Sequence, residues 1–114
     1  MASLPAQYLQ ETAAWTQENF EVRIPVNISY ELLEEILAGR LETLINEDFR
    51  HFIFLLYRLD IAEKKVREIL ETATATGADP YKPIAALIIE RQLQKIISRA
   101  TYKQDDLPDD EERW

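Results

Sequence analysis

Nine residues alternate without a break: Phe20, Val22, Ile24, Val26 and Ile28 are apolar, and Glu21, Arg23, Pro25 and Asn27 between them are not. A period of two predicts a strand with one buried face. A lone strand cannot pair with itself, so its backbone donors and acceptors need a partner or water. Two arrangements meet that need. One is a homodimer in which residues 20–28 of two copies pair antiparallel about a two-fold axis, with Phe20, Val22, Ile24, Val26 and Ile28 in the interface. The other is an extended connector laid across the rest of the molecule, its odd-position groups in water. Pro25 has no N–H, so in the first arrangement it must fall outside the ladder.

The rest of the chain has the period of a helix. Only two glycines occur, as expected of a helical protein rather than a hairpin-rich one. A first helix is predicted from Leu4 to Asn19, capped by Ser3 with Pro5 in its first turn. Ser29 caps a second, with Leu33, Ile36, Leu37, Leu41, Leu44 and Ile45 along one stripe and Gly39 within it. Asn46, Glu47 and Asp48 offer a fresh start. The third helix, from about Glu47 to Leu59, is apolar almost all round and is expected to be the most buried element. Asp60-Ile61-Ala62-Glu63 has the spacing of a capping box, with Asp60 as the cap. The fourth helix then runs from Ile61 to about Thr74 with Ile61, Val66, Ile69, Leu70 and Ala73 inside, closed by Gly77. Asp79-Pro80 opens the last helix, to about Tyr102, on a face of Ala85, Ile89, Leu93, Ile96, Ile97 and Ala100. The fold class is therefore an all-α bundle of four or five helices with one short extended segment. Residues 1–103 form a single helical domain, and 104–114 an acidic tail of disordered composition.

Charge and composition exclude several functions. The net charge is −8, with six acids and one base from Asp105 to Trp114. That balance argues against nonspecific binding to nucleic acid or anionic membranes. There is no cysteine, so no disulfide and no thiolate metal site. Met1-Ala2-Ser3-Leu4-Pro5 has no signal-peptide character, and Phe52–Tyr57 is far too short to span a bilayer. A cytoplasmic protein is expected.

No constellation carries chemistry by its spacing. His51, with Glu47 and Asp48 four and three residues before it, offers one carboxylate–histidine unit, whereas a helical di-metal site needs two such units and further glutamates. It reads as a histidine beside the acidic cap of its own helix. No nucleophile motif and no phosphate-cradling glycine loop occur. Glu31, Glu34, Glu35 and Glu42 fall at outward positions. Arg91, Lys95, Arg99 and Lys103 recur every four residues and read as a solvated face, or as one lying against the acidic second helix. Phe52, Phe54 and Tyr57 read as core. No catalytic residue, metal or cofactor is expected. The residues point to a non-enzymatic interaction or scaffold module, with a homodimer or an unidentified protein as its partner.

Arg23 to Glu34, a strand followed by Ser29 and Glu31-Leu32-Leu33-Glu34, resembles the opening of a ribbon-helix-helix repressor. That resemblance implies a dimeric DNA-binding regulator with Arg23 and Asn27 toward base edges. Glu21 and Pro25 do not suit base edges, and Gly39-Arg40-Leu41 runs on without the family's polar cap. Asp48-Phe49 through Leu56-Tyr57-Arg58-Leu59-Asp60, Glu63-Lys64-Lys65 and Ile88-Ile89-Glu90-Arg91-Gln92-Leu93-Gln94-Lys95, within Asn46 to Arg99, are similar to small helical proteins of the Bacteroidota. This second resemblance implies a bacterial helical protein, with no activity, cofactor or site residue attached.

Overall fold

A computed structural model describes residues 6–106, with side chains described from Gln7 to Thr101. Five helices follow in order: α1 (Ala6–Phe20), α2 (Tyr30–Glu47), α3 (Phe49–Arg58), α4 (Glu63–Thr76) and α5 (Tyr81–Asp106). The fold is all-helical, with no strand among the described residues. Ser3, Pro5 and residues 107–114 lie outside the described residues.

The core forms between α2 and α5, with α1 packed against both. Leu33, Leu37, Ala38, Leu41 and Leu44 recur along α2 at helical spacing and are buried. They meet Ile84, Ala85, Ile88, Ile89 and Leu93 of α5. Among the described residues α5 therefore holds the most buried side chains, where α3 was expected to be the most buried element. At ~1.5 Å per residue α5 is ~39 Å long, so it crosses the whole core and contacts α1, α2 and α4. The short α3 docks by one face only, through Phe52, Leu55 and Leu56.

α1 buries Thr12, Ala13, Thr16 and Phe20. The two threonines can enter an apolar interface because each hydroxyl donates to the carbonyl four residues back, Thr12 to Tyr8 at 2.9 Å and Thr16 to Thr12 at 2.8 Å. Trp15 meets Phe20 edge-on at 6.0 Å between centroids.

Residues 21–29 form no strand and take the second of the two expected arrangements, a connector laid across the molecule. Phe20 ends α1, and the chain then runs to α2 as a connector with a turn at Val26–Asn27. Its backbone groups find partners on α1. Gln17 accepts from Ile24 N–H at 2.7 Å, and Gln10 accepts from Asn27 N–H at 3.0 Å while donating to the Ile28 carbonyl at 3.5 Å. Two glutamines two helical turns apart thus satisfy three backbone groups of the connector. Burial still alternates: Val22 and Ile24 are half-buried, and Arg23 and Pro25 are exposed. The alternation ends where Asn27 takes a positive φ of 57°, leaving Val26 84% exposed and returning Ile28 to the core.

Caps were mostly as expected. Leu32 N–H donates to Ser29 Oγ at 3.1 Å, and Gly77 ends α4 at a φ of 76°. Asp79 accepts from Tyr81 N–H at 2.9 Å, so α5 opens one residue after Pro80. Asp60 is not a cap. α4 begins at Glu63, preceded by Ala62 with no side-chain cap bond, and Asp60 sits in a left-handed turn at a φ of 62°. Gly39 lies on the exposed side of α2 rather than within its buried stripe, and the helix continues through it.

Candidate functional site: the outer face of helix α3

Both ends of α3 are fixed by neighbouring elements. Asp48 closes α2 by donating its N–H to the Leu44 carbonyl at 2.8 Å, and it opens α3 by accepting from His51 N–H at 3.2 Å. One residue therefore joins the two helices. At the other end Lys95 Nζ of α5 donates to the Leu59 carbonyl at 3.1 Å, and Arg91 pairs with Asp60 at 3.1 Å. These cations meet the negative end of the α3 dipole. Arg58 Nη2 donates to Asn19 Oδ1 of α1 at 3.1 Å.

The held helix leaves an unusual face outward. Phe52, Leu55 and Leu56 point into the core. Arg50, Phe54 and Tyr57, at spacings of four and three, share the opposite side. Phe54 is 55% exposed and Tyr57 86%, and the ring of Phe49 at the N-terminal edge is 41% exposed. His51 stacks on Phe54 with the ring planes 21° apart. Phe49–Arg58 contains two arginines and a histidine and no acid, in a chain of net charge −8. Glu47 and Asp48 lie beside His51 at the N-terminal flank, in a shallow pocket with Glu21 and Arg40. The positive, aromatic area is thus the stretch from Arg50 to Arg58.

The other sequence-derived candidates fall elsewhere. Of the five alternating residues, Phe20 and Ile28 are in the core, Val22 and Ile24 pack against it, and Val26 is exposed. Arg23 and Asn27 are exposed on the connector. The basic row divides: Arg91 and Lys95 brace the α3–α4 turn, Arg99 is exposed, and the Lys103 side chain is outside the described set. The row lies partly against that turn, not against α2. Glu31, Glu35 and Glu42 are exposed and Glu34 is half-buried. Among the described residues no group of three or more histidine and carboxylate side chains is placed to hold a metal. Of Phe52, Phe54 and Tyr57, only Phe52 is core, which corrects the reading of all three as buried. Arg50 and Arg58 were not singled out from the sequence. The signal was available in their spacing around Phe54 and Tyr57 and in the lack of acids.

Two other surface features carry less chemistry. A groove of about 380 Å³ between α4 and α5 is lined by Ile69, Ala73, Pro83 and Leu87, with Lys65 and Glu68 at its rim. Tyr30, at the start of α2, has its phenol pushed from 10.0 up to about 12, first by burial and then by Glu90, Glu34 and Glu31. It is a tyrosine held neutral beside carboxylates. No helix among the described residues is long and apolar enough to cross a membrane. Compared with protein-family models, with curated proteins and with solved structures, the chain has no significant match.

Proposed function

We propose that this protein is a non-enzymatic, cytoplasmic protein-interaction module and that the outer face of α3 is its binding surface. The observation that supports this reading is the exposure of Phe54 and Tyr57 on a helix anchored at both ends and on its opposite face. Burying a phenylalanine side chain fully is worth roughly 1.5–3 kcal/mol, and Phe54, 55% exposed, leaves about half of that gain unrealised in the free chain. Tyrosine and arginine are also the residues that most often dominate binding energy at protein interfaces. A rigid backbone beneath them lowers the entropy lost on docking.

A photo-crosslinking amino acid at position 57 tests the proposal in a native lysate, with the same group at the exposed position 71 of α4 as control. A discrete protein adduct at 57 and none at 71 is expected. No adduct at 57, or equal adducts at both, overturns the reading.

A further inference from the structure

Resting on that reading, we propose that the outer face of α3 takes an acidic peptide segment: two carboxylate groups about 12 Å apart with an apolar side chain between them. The spacing comes from the helix itself. Arg50 and Arg58 are separated by eight residues, about 12 Å along the axis and about 80° around it, and Phe54 and Tyr57 lie in the axial interval, with Arg58 at the edge of the face toward α1. The Arg50 guanidinium can receive a carboxylate in a forked pair, Arg58 can offer the N–H groups that its bond to Asn19 leaves free, and the two rings offer a contact for leucine or an aromatic side chain. In an extended segment the carboxylates would stand three to four residues apart.

Charge decides among the occupants. A second copy pairing α3 against α3 would bring Arg50 and Arg58 of both chains onto one small patch, with no acid on either helix to offset them. A nucleic acid would continue past a helix about 15 Å long. Its phosphates would meet Glu47 and Asp48 at one end and the acidic remainder of the chain beyond. A short acidic segment fits within the positive stretch. Asp106-Leu107-Pro108-Asp109 in this chain has the required pattern, two acids around a leucine, and supplies a probe.

The test uses the full-length chain and a fluorescein-labelled peptide with the sequence of residues 105–114, followed by anisotropy and by backbone amide shifts. Saturable binding is expected, with shifts concentrated at residues 50–58. Phe54→Ala/Tyr57→Ala and Arg50→Glu/Arg58→Glu should each weaken it tenfold or more. Circular dichroism and an unchanged urea midpoint show that both variants remain folded. Binding that survives both variants overturns the proposal, as does equal binding of a peptide with its acids replaced by lysine. A labelled single-stranded oligonucleotide that binds the face as well as the peptide also overturns it, as does a concentration-dependent dimer abolished by Phe54→Ala/Tyr57→Ala. Failure of the peptide while the position-57 adduct persists rejects the acidic partner and leaves the interaction surface standing. Failure of both removes the surface itself.

Discussion

Glycine is misplaced in this chain from the viewpoint of local stability. Gly39 sits on an exposed helical position where an added Cβ would meet nothing within 4 Å. Gly39→Ala should therefore stabilise the protein by about 1 kcal/mol, read as a higher urea midpoint at unchanged slope. Glu21, the residue after α1, occupies a φ of 58° that a glycine would adopt without strain. Its ion pair with Arg40 is long, at 3.6 Å, with the Glu21 carboxylate exposed, and holds little in return. Asp60 is left-handed too, and its character is separable from that of a cap. Asp60→Ser would preserve a cap but not the left-handed turn, so it should cost about 1 kcal/mol, while Asp60→Gly should be nearly neutral. Equal stability of Asp60→Ser and the parent would restore the capping box.

Tyr30 gives a pH signature at the same scale. Its folded pKa of about 12 lies above the ordinary 10.0, so the folded state holds the phenolic proton more tightly than the unfolded one. The associated stability is present below pH 10 and is lost as the pH rises toward 12. Tyr30→Phe should show a shallower loss of stability across that window in urea titrations. An identical slope would mean that the phenol is free of burial and of Glu90.

At the scale of elements, the connector and α3 are held differently. The connector depends on Gln10 and Gln17, so Gln17→Ala should cost about 0.5–1.5 kcal/mol by removing the acceptor for Ile24 N–H. α3 depends on Phe52, Leu55 and Leu56 beneath it and on Asp48 and Lys95 at its ends. Its outward aromatics add almost nothing to folding. Phe54→Ala/Tyr57→Ala should leave the urea midpoint within the spread of ordinary surface substitutions, about 0.5 kcal/mol each. A large loss would show that these rings pack on the fold rather than stand ready for a partner.

For the whole molecule, stability should be graded from the α2–α5 pair outward. α2 and α5 share the largest block of fully buried side chains, whereas α4 buries only Val66 and Ala73 along 14 residues. An element with few buried apolar contacts opens at lower free energy. Native-state hydrogen exchange should find the α4 amides opening well below the global unfolding free energy, and those of α2 and α5 near it. Uniform protection across all five helices would show that α4 is locked to the core more firmly than its packing implies.

The helices, several of their caps and the buried stripe of α2 were legible because they depend on local chemistry. Ser29 caps α2, Asp48 restarts the chain, Gly77 ends α4, and Leu33, Leu37, Leu41 and Leu44 recur at the helical period whatever surrounds them. The period of two from Phe20 to Ile28 was also real, since alternate side chains along much of the segment do face the core. What covers the backbone of such a segment is not local, and Gln10 and Gln17 of α1 cover part of it. Burial of α3 was not local either. A helix apolar on every side can be central or can present a face, and only its packing against α2 and α4 left Phe54 and Tyr57 outside. The role of Asp60 was settled in the same way. Its distance from Glu63 suggested a cap, but Arg91, 31 residues away, holds its carboxylate instead. Short-range hydrogen bonding and periodicity act within a few residues and can be read in order along the chain. Which apolar or polar face finds a partner depends on elements distant in sequence, and folding alone brings those together.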